Sequence, residues 1–524
     1  MLVPLAVVVC TTVPVPAQIS KAKVAGGNIE GVVKNGIASF KGIPFAAPPI
    51  GDLRWRPPQP VLPWKGVRKA DEFGPAPIQD PAAMVELDPL VKLGLLKPNF
   101  SEDCLYLNVW TGAKKTDEKR PVMFWIHGGG FTRGMASDLG YDGTNFARKG
   151  VVLVSANYRL GLLGFLAHPE LSKESGKGSG NYGILDQIAG LKWVKENIAQ
   201  FGGDPSNVTI FGQSSGGLAV AMLTASPQAR ELFQRAISES GGGPAATSLK
   251  TAEEKGIAHL EKLGAHDLKA ARALSAEVLQ KGAEDRGSTT LVVDGEEVVA
   301  ADRDELLKDS RYNDMPILAG TNSMDGNGIA RMLLNMSKSI PSPAFEQIIR
   351  GVMGVGGWAD PVLRAYLDTT EAEVTKAARD LCSDLIFAWP AWAWAKLQST
   401  RIGNKAYLYY FDHRTPSSPE GANHTAEVLY VFGNLNIIDA YPGYFRAGIA
   451  NGPEDKALSG LMASYWVNFA KKGDPNGPGL PVWPAFDGKE HQTMVFDKTP
   501  GARQYPNLER MNVFATYYLE KKTK

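Results

Sequence analysis

Apolar residues fall into two alternating patterns along the chain. Pro121-Val122-Met123-Phe124-Trp125-Ile126 and Val151-Val152-Leu153-Val154 are short, continuous, β-rich apolar runs. Runs of that kind read as parallel strands covered on both faces. Ile184, Ile188, Leu191, Val194 and Ile198 recur at helical spacing and put one apolar stripe on a helix, which ends before the turn Gly202-Gly203-Asp204-Pro205. Val208-Thr209-Ile210-Phe211 is the next strand, a helix follows from Ser215, and further strands fall at Arg235 to Ser238, Pro316 to Gly320 and Ala406 to Phe411. Two long tracts between them, 251–309 and 330–399, read mostly as helices and loops. The alternation predicts an α/β protein with a large, mostly parallel, twisted central sheet, helices on both faces, and helical insertions. From Gly31 to Val495 there is no linker, repeat or compositional break, so residues 18–524 read as one domain.

Composition narrows the function. The 524 residues carry 56 Lys+Arg against 55 Asp+Glu, with 44% apolar and 21% charged residues. Such a chain can bury a large core, and it lacks the concentrated basic face a nucleic-acid partner requires. No run approaches the ~18 apolar residues of a transmembrane segment. Three cysteines make no disulfide scaffold, and no Cys/His spacing suits a metal. Met1 to Ala17 is uncharged, rich in Val and Leu, and offers small residues at Val15 and Ala17 for cleavage after Ala17. It therefore reads as a signal peptide lacking its basic start, and the protein as exported, with a cytoplasmic protein the alternative. Cys10 has no lipoprotein context, and Cys104 and Cys382 read as buried free thiols. The sequence carries no signal of oligomeric state.

The chemistry begins at Gly212-Gln213-Ser214-Ser215-Gly216, between a strand and a helix. At such a junction G-x-S-x-G becomes a sharp turn that lifts the central Ser214 clear and aims helix N–H groups at a developing anion. Ser215 contributes through its backbone N–H rather than its hydroxyl. His127-Gly128-Gly129-Gly130-Phe131 follows another strand. Consecutive glycines there let backbone donors converge on one oxygen, so Gly129, Gly130 and Ser215 are the expected oxyanion hole. No Lys-Ser/Thr follows the glycines, as a phosphate-binding loop would require.

A serine needs a base, and the chain has seven histidines. His127 belongs to the glycine loop, and His168, His259 and His266 lie in segments that read as solvent-facing. His424 follows the last clear strand in the order Ser, acid, His; pattern alone leaves His413 and His491 open.

Phe201-Gly202-Gly203-Asp204-Pro205 through Gly216, together with Glu102-Asp103-Cys104-Leu105-Tyr106-Leu107-Asn108-Val109, resembles the paired signatures of type-B carboxylesterases, the cholinesterase-like branch of the α/β-hydrolase fold. Lys41-Gly42-Ile43-Pro44-Phe45-Ala46, Asn157-Tyr158-Arg159-Leu160-Gly161 and Gly180-Asn181-Tyr182-Gly183 are similar as well, and the resemblance runs from about Gly31 to the C-terminus. It implies a serine esterase without metal or organic cofactor, acting on a small-molecule ester. The family's G-A-x-H-x-x-E falls on Gly421 to Glu427 and assigns the base to His424. Its D-E-G turn falls on Met324-Asp325-Gly326 and assigns the acid to Asp325, with Asp314 the nearest substitute.

Departures from the family bear on substrate. Gln213 stands where a Glu is usual, and Gly94 where cholinesterases hold a quaternary ammonium with a Trp, which removes a cation–π face. The usual partner of the motif cysteine is replaced near Pro77, and Arg54 with Glu102 resembles a structural ion pair. The Trp-rich stretch 387–394 reads mainly as core, with Phe387 and Trp389, besides Phe131 and Gln213, as pocket candidates. Sequons at Asn99, Asn207, Asn335 and Asn423 read as accidental. Three readings follow: a carboxylesterase; a lipase or specialised aryl, phthalate or toxin esterase of the same mechanism; and a binding protein on the same fold, which retention of Ser214, His424 and the glycine loop disfavours.

Overall fold

A computed structural model describes residues 18–520 other than 83, 85–88, 95, 243–245, 283–290, 295–297, 300, 302–304, 307–310, 329, 331–345, 347–349, 351–358, 367–370, 402 and 442–447. The expected leader over 1–17, the sequon at Asn335 and much of the second insertion lie outside the described residues.

Eleven strands form one sheet. In chain order they are β1 (Val32–Lys34), β2 (Ile37–Pro44), β3 (Tyr106–Thr111), β4 (Arg120–Ile126), β5 (Val152–Ala156), β6 (Gly203–Gln213), β7 (Arg235–Glu239), β8 (Ile317–Asn322), β9 (Ala406–Phe411), β10 (Gln492–Phe496) and β11 (Gly501–Gln504). Their spatial order is β11-β10-β9-β8-β7-β6-β4-β5-β3-β2-β1. The seven strands from β10 to β5 pair in parallel, and the antiparallel pairs lie at the two edges. The apolar runs supplied the parallel centre. The edge strands β1–β3, β10 and β11 carry mixed polar patterns and escaped the sequence reading. The turn expected at 202–205 reduces to the left-handed Gly202 (φ 75°), after which β6 begins at once.

Alternation along each strand feeds two cores. Val122, Phe124 and Ile126 of β4 join one, with helices α1 (Tyr182–Asn197) and α2 (Ser215–Ala225). Met123 and Trp125 join the other, with α5 (Ala426–Phe432) and α6 (Pro453–Lys472). Each fully buried large apolar side chain contributes roughly 1.5–3 kcal/mol. Helices thus cover both faces, as the strand–helix alternation required. The described part of the first insertion contains helices Leu249–Lys262, Leu268–Ala273 and Ala276–Gly282. The second contains α3 (Glu371–Ser383) and α4 (Trp389–Arg401), joined by a wide helical turn, Asp384–Ala388.

Two histidines expected to face solvent are buried. His168 caps helix Pro169–Ser175 by accepting the Glu170 N–H at 3.3 Å, and His259 sits on the inner side of Leu249–Lys262. Single polar residues on an amphipathic helix do not reveal which face they occupy.

Candidate active site

Ser214 stands between β6 and α2 with φ 58° and ψ −125°, a conformation that costs a non-glycine residue about 1–3 kcal/mol. Its neighbours explain how the turn is held. A Cβ on Gly212 would lie 2.6 Å from the Ile126 carbonyl oxygen, and one on Gly216 would lie 2.1 Å from the same atom. Both glycines are therefore needed for β4 and α2 to approach. The Ser214 N–H donates to the Glu239 carbonyl at 2.9 Å, which ties the elbow to the end of β7.

The glycine loop lies against this turn, since a Cβ on Gly128 would come within 3.0 Å of the Ser214 Cβ. Gly129 and Gly130 adopt φ 116° and 64°. The N–H groups of Gly129, Gly130 and Ser215 have no hydrogen-bond acceptor among the described residues. The Ser215 hydroxyl instead accepts the Phe131 N–H at 3.3 Å, fastening loop to helix. His127 is buried and stacks on Tyr158 at 4.4 Å, whose hydroxyl donates to the His127 carbonyl at 2.8 Å. Burial pulls the His127 pKa down to about 4, so it stays neutral beside the donors.

Asp325 follows β8 and is fully buried. One of its oxygens accepts the Asn322 N–H and the Ser240 hydroxyl, each at 2.7 Å, and the other meets His424 Nδ1 at 2.7 Å. The acid and base loops are stitched together: Met324 N–H donates to the Ala422 carbonyl at 2.9 Å and Ala422 N–H to the Ser323 hydroxyl at 2.8 Å. The Asn322 amide reaches the Asn423 carbonyl at 2.8 Å. Burial pulls the His424 pKa down, but the hydrogen bond and charge of Asp325, with the charge of Glu427, outweigh it and the net shift is upward. With Nδ1 on Asp325, Nε2 is the basic nitrogen, and it lies 3.3 Å from the Gln213 amide nitrogen. The Ser214 hydroxyl makes no hydrogen bond among the described residues, so it is not in contact with the His424 ring in this geometry.

The other candidates separate. Phe387 packs on the His424 ring at 4.8 Å, placed there by the wide turn. Trp389 lies away from the His424 ring: its own ring packs on Trp392, Phe514 and Tyr518 at 5.5–6.2 Å, because helical positions two apart point to opposite sides. Phe131 is buried against Phe165 at 4.8 Å. His413 pairs with Asp455 at 2.7 Å, His491 stacks on Trp392, and Asp314 bonds Gln398 and Asn404. Cys104 and Cys382 are free, and burial raises both thiols, Cys382 to about 11. The Arg54–Glu102 pair is formed, with Nε donating at 2.8 Å. Among the described residues no group of three or more His, Cys, Asp or Glu is placed to hold a metal, and no helix is long and apolar enough to cross a membrane.

Ser240, Asn322 and Glu239 escaped the sequence reading. The available signal was polarity: Ser238-Glu239-Ser240 ends a strand of the parallel centre, at the carboxyl end where such sheets build sites.

The Carboxylesterase family model matches residues 16–514. The chain is 36% identical to fumonisin B1 esterase of Sphingopyxis macrogoltabida over 516 residues, 94% of this chain and 90% of that one. It is 34% identical to para-nitrobenzyl esterase of Bacillus subtilis, covering 92% and 96% of the two chains. A solved thermophilic PNB esterase superposes with a TM-score of 0.82 at 31% identity, covering 95% of this chain and 100% of that chain. An elbow serine beside a glycine loop, on a sheet shared with these enzymes, has one family reading: the chain belongs to the carboxylesterase family of carboxylic ester hydrolases.

Proposed function

We propose that ester hydrolysis runs through an acyl-enzyme on Ser214. His424 Nε2 takes the hydroxyl proton as Ser214 attacks the carbonyl, and Asp325 fixes the tautomer and stabilises the imidazolium. The developing oxyanion is held by the N–H groups of Gly129, Gly130 and Ser215. His424 returns the proton to the leaving alcohol, and water repeats the cycle on the acyl-enzyme. The 2.7 Å contact between Asp325 and His424 Nδ1 carries the reading, since it leaves Nε2 as the free base. Nucleophile and base close on each other by side-chain rotation, as catalytic contacts often do only once substrate is bound.

The test is hydrolysis of p-nitrophenyl acetate and butyrate, with Ser214→Ala abolishing it and a fluorophosphonate labelling Ser214. Activity that survives Ser214→Ala ends this reading. The resemblance to an enzyme named for fumonisin B1 supports a specialised toxin-ester variant of the same chemistry. A chain-length panel separates it from a lipase, whose activity peaks on long chains above their solubility limit. On this reading residues 18–524 are one catalytic domain behind a removable leader, checked by the N-terminus of the exported protein.

A further inference from the structure

Two glutamates behind the site are used by no step above. Glu239 ends β7 and Glu427 lies in the first turn of α5, and both are fully buried. Glu239 belongs to the nucleophile and acid side: its carbonyl holds the Ser214 N–H, and the next residue, Ser240, donates to Asp325. Glu427 belongs to the base side, three residues after His424. One of its oxygens accepts the Asn322 amide at 2.5 Å, the same amide that reaches the Asn423 carbonyl. One Glu239 oxygen accepts the Trp466 indole N–H at 2.7 Å.

The second oxygen of each is different. Glu239 Oε2 and Glu427 Oε1 are buried and have no donor among the described residues, and the Tyr409 hydroxyl and Asn322 Oδ1 share that condition. These atoms belong to one place. Tyr409 and Glu239 both pair with Gly320 across the sheet, and a Cβ on Gly320 would lie 2.2 Å from the Tyr409 ring. Burial, then the charges of Glu427, Glu239 and Asp325, push the Tyr409 hydroxyl's pKa well up. Burial and the charge of Glu427 raise Glu239 well above the carboxylate range. Burial and the charge of Asp325, against the Asn322 bond and His424, bring Glu427 up to about 7. Three ionised carboxylates here would face only a protonated His424, and buried unpaired charge is strongly disfavoured.

We propose that Glu239 and Glu427 form a proton-sharing clasp, holding at most one negative charge between them at neutral pH, which fixes the Ser214–Asp325 side of the site against the His424 side. Both are positioning residues. The shared proton, carried by one of the two orphaned carboxylate oxygens, is the donor that the other lacks. Only the clasp's kinetic consequence rests on the esterase reading; its protonation does not.

The test uses the full chain with carboxyl-13C glutamate, the two signals being assigned with Glu239→Gln and Glu427→Gln. At pH 7 at least one signal is expected to be that of the protonated acid; two ionised carboxylates overturn the clasp. In kinetics each Gln variant, a neutral isostere of the protonated acid, loses far less kcat/KM at pH 7 than Glu427→Ala does. Glu427→Ala lowers kcat on the order of 10²-fold with little change in KM, the scale of a small misplacement of the base. Above pH 7 the wild type loses kcat as the second carboxyl ionises, and Glu427→Gln does not. A folded Glu427→Ala with unchanged kcat overturns the proposal; should that variant not fold, the labelled signals and the Gln pH profile still decide. If Ser214 takes no fluorophosphonate, the esterase reading fails while the 13C result stands on its own.

Discussion

The Gln213 amide nitrogen stands 3.3 Å from His424 Nε2 and 3.5 Å from Nδ1, so it lies against the ring rather than in line with either nitrogen's lone pair. At rest a neutral amide from the residue before Ser214 therefore lies against the imidazole without occupying its Nε2 lone pair. Gln213→Glu places a carboxylate at that distance, where it favours the imidazolium. The imidazole pKa rises by roughly 1–3 units. In the proposed mechanism only neutral His424 accepts the serine proton, so the acidic limb of kcat/KM against pH is expected to move up and activity at pH 6 to fall. A limb that stays in place in Gln213→Glu shows that the contact has no electrostatic role.

In the proposed mechanism the wild-type limb itself is set by Asp325. Its hydrogen bond and charge, with Glu427's charge, lift His424 above the ordinary 6.5 despite burial, so kcat/KM is expected to climb with pH through a midpoint above 6.5. Asp325→Asn removes the charge and favours the wrong tautomer. kcat falls on the order of 10⁴-fold, the loss such a substitution brings in serine hydrolases. Residual activity titrates at lower pH. A midpoint unchanged in Asp325→Asn would show that another group holds the base.

The two glycines proposed as oxyanion donors are not equivalent. A Cβ on Gly129 would lie 2.0 Å from the Arg133 carbonyl oxygen, whereas on Gly130 it meets nothing closer than 4.0 Å. Gly129→Ala must displace the loop, and kcat drops about 10²–10³-fold, as loss of one oxyanion donor does. Gly130→Ala bears only the left-handed strain, about 1–2 kcal/mol, and keeps most activity. Equal losses in the two variants would mean that the loop tolerates no side chain anywhere. Burst kinetics on a nitrophenyl ester read the acylation step directly.

The centre of the sheet was legible because strands buried on both faces are apolar throughout, as Val122–Ile126 shows. Ser214, the glycine loop and His424 were legible because tight turns and backbone donors demand glycine at fixed spacing. The edge strands were not: Gly501–Gln504 is exposed on both faces and has no periodic apolar signal. Nor was Ser240, whose hydroxyl serves an acid 85 residues away through sheet pairing that no local pattern encodes. Trp389 and Phe387 looked alike as aromatics in an insertion, and only the helical turn between them decides which faces His424.

Arg159 and Asp186 link the stability of the molecule to its glycine loop. Both are buried, and the guanidinium donates to the two carboxylate oxygens at 2.8 and 2.7 Å, while the Arg159 N–H adds a third bond at 2.9 Å. Two residues on, the Gly161 N–H donates to the Phe131 carbonyl at 2.8 Å, so the segment that Asp186 anchors also holds the end of the loop. Asp186→Ala strands a buried guanidinium and is expected to cost about 3–5 kcal/mol. Asp186→Asn keeps an acceptor and costs less. Urea unfolding followed by tryptophan fluorescence ranks the variants, and the activity of the folded fraction reports on the loop. If Asp186→Ala unfolds at the wild-type midpoint, the pair contributes nothing to stability. If it is destabilised yet fully active per folded molecule, the link to Phe131 carries no catalytic consequence.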